Sequence, residues 1–174
     1  MTKLKFIAIA AVFFAAFGMS SCEDEPVDPA IPLNPTTPII PGTASFKVDF
    51  DAQTYIATQV DAVISDGQIS ISAYKGAELE SFNISLDGTA TGSYLANEHF
   101  LSYSPGFGEP ELYVAVNPDD DTDNTGQVTI TTIDPVTMTM SGTFNFTGYD
   151  EDVDGNITTK EFTNGVFTNI PYTQ

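Results

Sequence analysis

The sequence contains no arginine and no tryptophan, one histidine and one cysteine, and its 5 lysines face 24 aspartates and glutamates. Each scarcity removes a class of function. Nucleic-acid binding needs a basic footprint to displace counterions from phosphates, so this composition excludes it. Anionic substrates meet the same repulsion, whereas cations and neutral partners such as sugars do not. His99 and Cys22 together cannot build a zinc site, and no GxSxG elbow, P-loop or HExxH is present. His99, beside Phe100, reads as a packing or loop residue. Without tryptophan, Tyr103, Phe107, Tyr149 and Tyr172 are left to stack on a sugar ring, although aromatics in β domains are mostly core. Acids are numerous enough for a glycosidase pair, but spacing in sequence does not give separation in space. The expectation is a protein that is not an enzyme.

What is present begins with an export signal. Lys3 and Lys5 precede an unbroken apolar run, Phe6 to Phe17, and small residues follow. A positive start, a short apolar core and a small-residue exit describe a secretory leader over residues 1–21. The run falls short of the ~20 residues a bilayer span needs. The lone cysteine follows at once. Met19-Ser20-Ser21-Cys22 resembles a bacterial lipobox, with Met19 where leucine is usual, which implies that Cys22 is lipidated and becomes the mature first residue. Each buried acyl methylene adds roughly 0.8 kcal/mol, so two or three chains hold a protein firmly. Glu23-Asp24-Glu25 resembles the acidic tag that sends Bacteroidota lipoproteins to the outer face of the outer membrane. The resemblance implies a lipid-anchored outer-membrane protein facing the cell exterior.

Residues 22–42 form an acidic, proline-rich tether. Pro26, Pro29, Pro32, Pro35, Pro38 and Pro41 recur every third residue, the period of a polyproline II helix. At ~3.1 Å per residue this spacer reaches about 50 Å. Beyond residue 21 only Lys47, Lys75 and Lys160 oppose the 24 acids, a side-chain charge of −21.

Residues 43–174 make a single domain large enough to bury a core. Its apolar residues alternate with polar ones: Phe46, Val48 and Phe50; Ile69, Ile71 and Ala73; Phe82, Ile84 and Leu86; Leu112, Val114 and Val116; Val128 and Ile130; Met138, Met140, Phe144 and Phe146. A period of two means strands with one wet and one dry face. Gly142 falls on the dry face, where a bulge or a close neighbour would require it. Asp66-Gly67, Asp87-Gly88, Thr91-Gly92, Asp134-Pro135, Asp154-Gly155 and Asn164-Gly165 read as turns between runs. The expected fold is all-β: an antiparallel two-sheet β-sandwich of about nine strands, with a meandering, partly closed β-barrel as the alternative. Residues 96–111 are the longest irregular stretch and the expected functional loop.

One loop has metal-binding spacing. Across YDEDVDGNITTKEF, Asp150, Asp152 and Asp154 alternate, Gly155 follows, and Glu161 closes a twelve-residue frame. In an EF-hand these acids and the Asn156 carbonyl would hold Ca²⁺, with Thr158 bridging through water. The flanking segments read as strands rather than helices, and Val153 is apolar where the frame is polar. Two readings stand: an acidic hairpin without a metal, or a weak calcium site outside the helical frame.

FKVDFDAQTYIAT, GQVTITTID, MSGTFNFTG and the ending FTNGVFTNIPY resemble a family of small lipoproteins common in Bacteroidota and known only as a domain of unknown function. The resemblance covers most of residues 46–172 and implies a secreted all-β domain, with no catalytic residue to carry over. The functional expectation is a membrane-tethered, non-catalytic surface binding or adhesion module. Its partners would be the membrane, through the lipid, and a glycan or protein ligand. A purely structural envelope lipoprotein is the alternative.

Overall fold

The computed structural model describes residues 42–174 apart from Glu78 and Phe107. The leader, Cys22 and nearly all of the tether therefore lie outside the described residues. The domain is all-β. Its strands are β1 (Ser45–Phe50), β2 (Gln53–Ile56), β3 (Gln59–Ser65), β4 (Gln68–Lys75), β5 (Glu80–Asp87), β6 (Gly92–Leu95), β7 (Phe100–Ser104), β8 (Tyr113–Val114), β9 (Gly126–Asp134), β10 (Thr139–Glu151) and β11 (Ile157–Thr173). The count exceeds the expected nine because β2 and β6, four residues each, are too short to leave a periodic signal.

All strands among the described residues belong to one 11-stranded sheet, ordered β2-β1-β11-β3-β4-β5-β7-β8-β10-β9-β6, and β10 also pairs with β11. A ring therefore runs β11–β3–β4–β5–β7–β8–β10 and back to β11. The two long strands make this closure. Along one edge β11 pairs with β1 from Thr163 to Thr168 and then in parallel with β3 at Tyr172 and Thr173. Along its outer edge β10 pairs with β9 from Thr139 to Phe146 and then with β8 at Tyr149. Strands that change partner midway form the corners joining two packed faces. One face is β2-β1-β11-β10-β9-β6 and the other β3-β4-β5-β7-β8. The molecule thus combines the facing layers of a sandwich with the ring of a partly closed barrel.

The space between the faces is filled, mostly by aromatic rings. Phe82 of β5 is the hub, with ring centroids 4.7 Å from Tyr103, 4.9 Å from Tyr55, 5.2 Å from Phe162 and 5.8 Å from Phe46. Such tilted and edge-on pairs add about 0.5–1.5 kcal/mol each beyond area burial. At one end, Tyr103 donates to Glu80 (2.9 Å) and Tyr55 to the Glu80 and Ala73 carbonyls. Burial, then Glu80, pushes both phenols above the ordinary tyrosine range. Near the β10–β11 hairpin, Lys160 pairs with Asp51 and lies over the Phe50 and Tyr113 rings.

The alternation places Phe46, Val48, Phe50, Ile69, Ile71, Ala73, Phe82, Ile84, Leu86, Val128, Ile130, Met140, Phe144 and Phe146 in the core, as the period of two predicts. Asp66 and Gly67 have φ of 51° and 83° between paired Ser65 and Gln68, the two-residue turn that this dipeptide favours. Gly142 sits at a register shift, and a Cβ there would collide with the Phe167 ring and the Thr129 carbonyl.

Three expectations are corrected. Asn164-Gly165 is not a turn but lies inside continuous β11. Lys47 and Asp49 pair with Val166 and Thr163, and Phe144 and Phe146 with Gly165 and Phe162. In both ladders β11 carries one extra residue, a β-bulge. Asn164 has φ 52° and Asn169 has φ 50°, and the register slips again between Phe167 and Ile170. The tripeptide Phe-Thr-Asn occurs twice, at 162–164 and 167–169. Each asparagine takes the left-handed conformation it tolerates and resets the parity, so Phe162, Phe167, Ile170 and Tyr172 all face inward. Gly165 is required because a Cβ would stand 2.5 Å from the Phe144 carbonyl oxygen. Second, the parity at 112–116 is inverted: Tyr113 and Ala115 are buried, while Leu112 and Val116 are exposed. Third, residues 96–111 are only partly loop, since Ala96–Glu98 form a 3₁₀ turn and Phe100–Ser104 are β7.

Candidate functional site

The acidic loop connects β10 and β11, and its residues are spent on its own shape. Asp152 accepts at Oδ1 from the backbone N–H of Asp154 (2.9 Å) and of Asn156 (2.8 Å), and at Oδ2 from the Asn156 amide (2.8 Å). Its N–H donates to the Asn156 carbonyl, and Gly155 closes the turn onto the Asp152 carbonyl. The Asn156 side chain and backbone hold Asp152 below the ordinary carboxylate range. Asp150 is a strand residue whose Oδ1 accepts from the Leu112 N–H at 2.9 Å. Glu161 accepts from its cross-strand neighbour Thr147 at 3.0 Å.

The ladder pairs Asp150 with Thr158 but Thr147 with Glu161. Three rungs therefore separate Asp150 from Glu161, about 10 Å along the strands, and an odd offset puts them on opposite faces. Calcium needs its oxygens about 2.3–2.6 Å from one point. The twelve-residue frame depends on a coiled loop between helices, and a hairpin stretches it flat. Asp150, Asp152, Asp154, Asn156 and Glu161 are thus not brought together as a ligand set, and among the described residues no group of three or more acids, histidines or cysteines is placed to hold a metal. The hairpin itself is the one the flanking alternation predicts.

The other sequence candidates disperse. His99 accepts at Nδ1 from the Asp87 N–H (3.1 Å) and stacks edge-on with Tyr94. Tyr103 and Tyr172 are buried, Tyr149 is half-buried, and Phe107 and Cys22 lie outside the described residues.

The structure instead assembles a groove on the outer side of β2, β1, β11, β10 and β9. It encloses about 740 Å³, within the range of small-ligand clefts. Crossing five neighbouring strands makes it about 19 Å long. The Asn164 bulge lies within it, and Thr163, Asn164, Gly165 and Val166 all line it. The walls are wet-face side chains, among them Lys47, Asp49, Thr54, Gln127, Asn145 and Asn164. Asp49 accepts from Thr54 (2.6 Å) and from the Asn164 amide (3.1 Å). These two bonds, in that order, with Lys47 adding a smaller effect, hold its carboxyl below the usual range. Lys75 and Lys160 are ion-paired; among the described residues Lys47 makes no such pair and faces the groove. The lining therefore offers one ammonium, one fixed carboxylate, amides and hydroxyls, a set that both donates and accepts hydrogen bonds.

The wet faces of TFNF and FKVDF carry this lining in the sequence. Nothing local brings residues 47–54, 127, 143–145 and 163–166 together; the lateral pairing of β2, β1, β11, β10 and β9 does.

Neither a curated protein nor a solved structure matches the chain. A family model described as "Domain of unknown function (DUF6252)" matches residues 42–171, and the chain belongs to that family.

Proposed function

We infer that the mature chain, residues 22–174, is a non-catalytic surface-binding module. Lipid on Cys22 anchors it to the outer membrane facing the exterior, and the proline tether lifts the β-domain away. The groove over the Asn164 bulge takes a neutral, hydroxyl-rich ligand such as a glycan. The carrying observation is the groove's lining, which is rich in uncharged donors and acceptors and contains Asp49 as its one carboxylate. The high negative charge disfavours anionic ligands. Glycoside hydrolysis uses two carboxyls about 5–9.5 Å apart, and Asp49 has no acidic partner among the lining residues. Both Asp49 oxygens are already engaged by Thr54 and Asn164, which suits a fixed acceptor better than a proton shuttle.

The test uses immobilised neutral polysaccharides. Gln127 and Asn145 are exposed cross-strand neighbours on β9 and β10, so Gln127→Ala and Asn145→Ala leave the core untouched. Each is expected to weaken retention about tenfold at unchanged thermal stability. Retention unaffected by both variants, or seen only with anionic polymers, would remove the groove as the site. Incorporation of labelled fatty acid that is lost in Cys22→Ser checks the anchor.

A further inference from the structure

The inverted parity at residues 112–116 leaves an apolar strip on the outside of the molecule. Tyr113 and Ala115 enter the core. The Ala115 N–H donates to the Leu101 carbonyl (3.0 Å), and Thr125 donates to the Ala115 carbonyl (2.5 Å), so Ala115 stays tied to β7 although the chain bends at Ala115 and Val116. Leu112, Val114 and Val116 must then point outward. On the same face of the sheet β4 and β5 present Ser70, Ser72, Asn83 and Ser85, joined in cross-strand hydrogen bonds. That is the ordinary wet surface of an antiparallel sheet, and the aliphatic strip departs from it. Leu112 is 47% exposed and Val116 36%. Pro110, Pro118 and Tyr149 line the same cleft, which holds about 370 Å³.

The rim is acidic. Asp150 and Glu151 line the cleft directly. Asp123 lies close enough to Tyr149 to raise its phenol, after burial and ahead of Glu161. Glu109, Glu111, Asp119, Asp120 and Asp121 flank it in the chain, and no lysine or arginine occurs between Lys75 and Lys160.

Charge and shape narrow the occupant. A purely apolar partner would cover carboxylates without pairing them, at a large desolvation cost. A second copy of this chain would bring its own acids against these, and residues 22–42 of the tether contain no basic residue. An anionic lipid surface is repelled. A lysine or arginine side chain fits both features, because its methylene stem packs on aliphatic surface while its head reaches a carboxylate. Strand addition is not the mode, since both edges of β8 are paired, with β7 and with β10. We propose that the acid-rimmed cleft over Leu112, Val114 and Val116 docks an extended segment of a partner protein that alternates basic and apolar side chains.

The experiment measures fluorescence anisotropy of labelled peptides with the mature, lipidated chain in nonionic detergent, against a detergent-only control. Three ten-residue probes are used: alternating Lys and Val, alternating Gln and Val, and alternating Lys and Ser. The Lys/Val peptide binds saturably, and each of the other two binds about tenfold more weakly. Raising salt from about 0.05 M to about 0.5 M weakens the Lys/Val complex. Leu112→Ser and Glu151→Gln, both at exposed positions, each weaken it about fivefold or more. Val116→Thr serves as a second apolar variant should Leu112→Ser lower thermal stability. Equal affinity for the Lys/Val and Lys/Ser peptides, unmoved by Leu112→Ser, would reduce the binding to bulk charge attraction and overturn the proposal. Absence of saturable Lys/Val binding would overturn it as well. Asn145→Ala leaves this affinity unchanged, which separates the cleft from the groove.

Discussion

Replacing Asn164 with alanine tests how much the left-handed residue at the β11 bulge contributes to stability. Asn164 has φ 52°, a conformation that costs an ordinary L-residue about 1–2 kcal/mol and that asparagine and glycine tolerate. Alanine also removes the 3.1 Å bond to Asp49. The conformational loss alone is about 1–2 kcal/mol, near 4–8 °C in midpoint for a domain of this size. Asn164→Gly loses the same hydrogen bond but keeps the conformation, so its loss is about 1 kcal/mol or less. Thermal and urea unfolding of the two variants side by side give the difference. If alanine were as stable as glycine, the left-handed conformation at the bulge would carry no energetic weight and the reasoning would be refuted.

Three further outcomes follow from the same physics. Asp51 and Ala52 form the β1–β2 turn with φ of 50° and 58°, so Ala52→Gly should stabilise the domain by about 1 kcal/mol, read as a raised urea midpoint. Phe82→Ala empties the centre of the aromatic core and should cost about 3–5 kcal/mol; a loss under about 1 kcal/mol would contradict the packing. The folded-state pKa of Asp152 is lowered, so its contribution is present above the unfolded value and lost as pH falls through the folded one. The protection factors of the Asp154 and Asn156 amides, taken relative to the intrinsic exchange rate at each pH, should fall in that acid range, while millimolar calcium and magnesium shift the thermal midpoint equally; a calcium-specific rise lost in Asp150→Asn would restore the metal site.

The period of two made the β class and most of the core legible in the sequence, because inward residues such as Ile69, Ile71, Phe82 and Ile84 follow strict alternation. Bulges are where that reading fails. An Asn-Gly pair announces a positive φ but not whether the chain turns back or merely shifts parity, and β11 contains two such shifts in one strand. Leu112, Val114 and Val116 mislead for another reason: Tyr113 and Ala115 are also compatible with a core, so the strip gives no local sign of its side. The acidic spacing at Asp150, Asp152 and Asp154 is real in sequence, but ligand geometry belongs to the backbone, and an extended hairpin separates what a coiled loop gathers. The groove leaves no local sign in the sequence because its lining comes from strands distant in the chain.

The most direct test of the central claim is an NMR titration of the isotopically labelled mature chain with a panel of neutral oligosaccharides. The account predicts saturable amide shifts at Asp49, Thr54, Gln127, Asn145 and Asn164, with the outer face of β4 and β5 unmoved. Saturable binding that maps elsewhere, or no saturable shift with any neutral glycan, would contradict it.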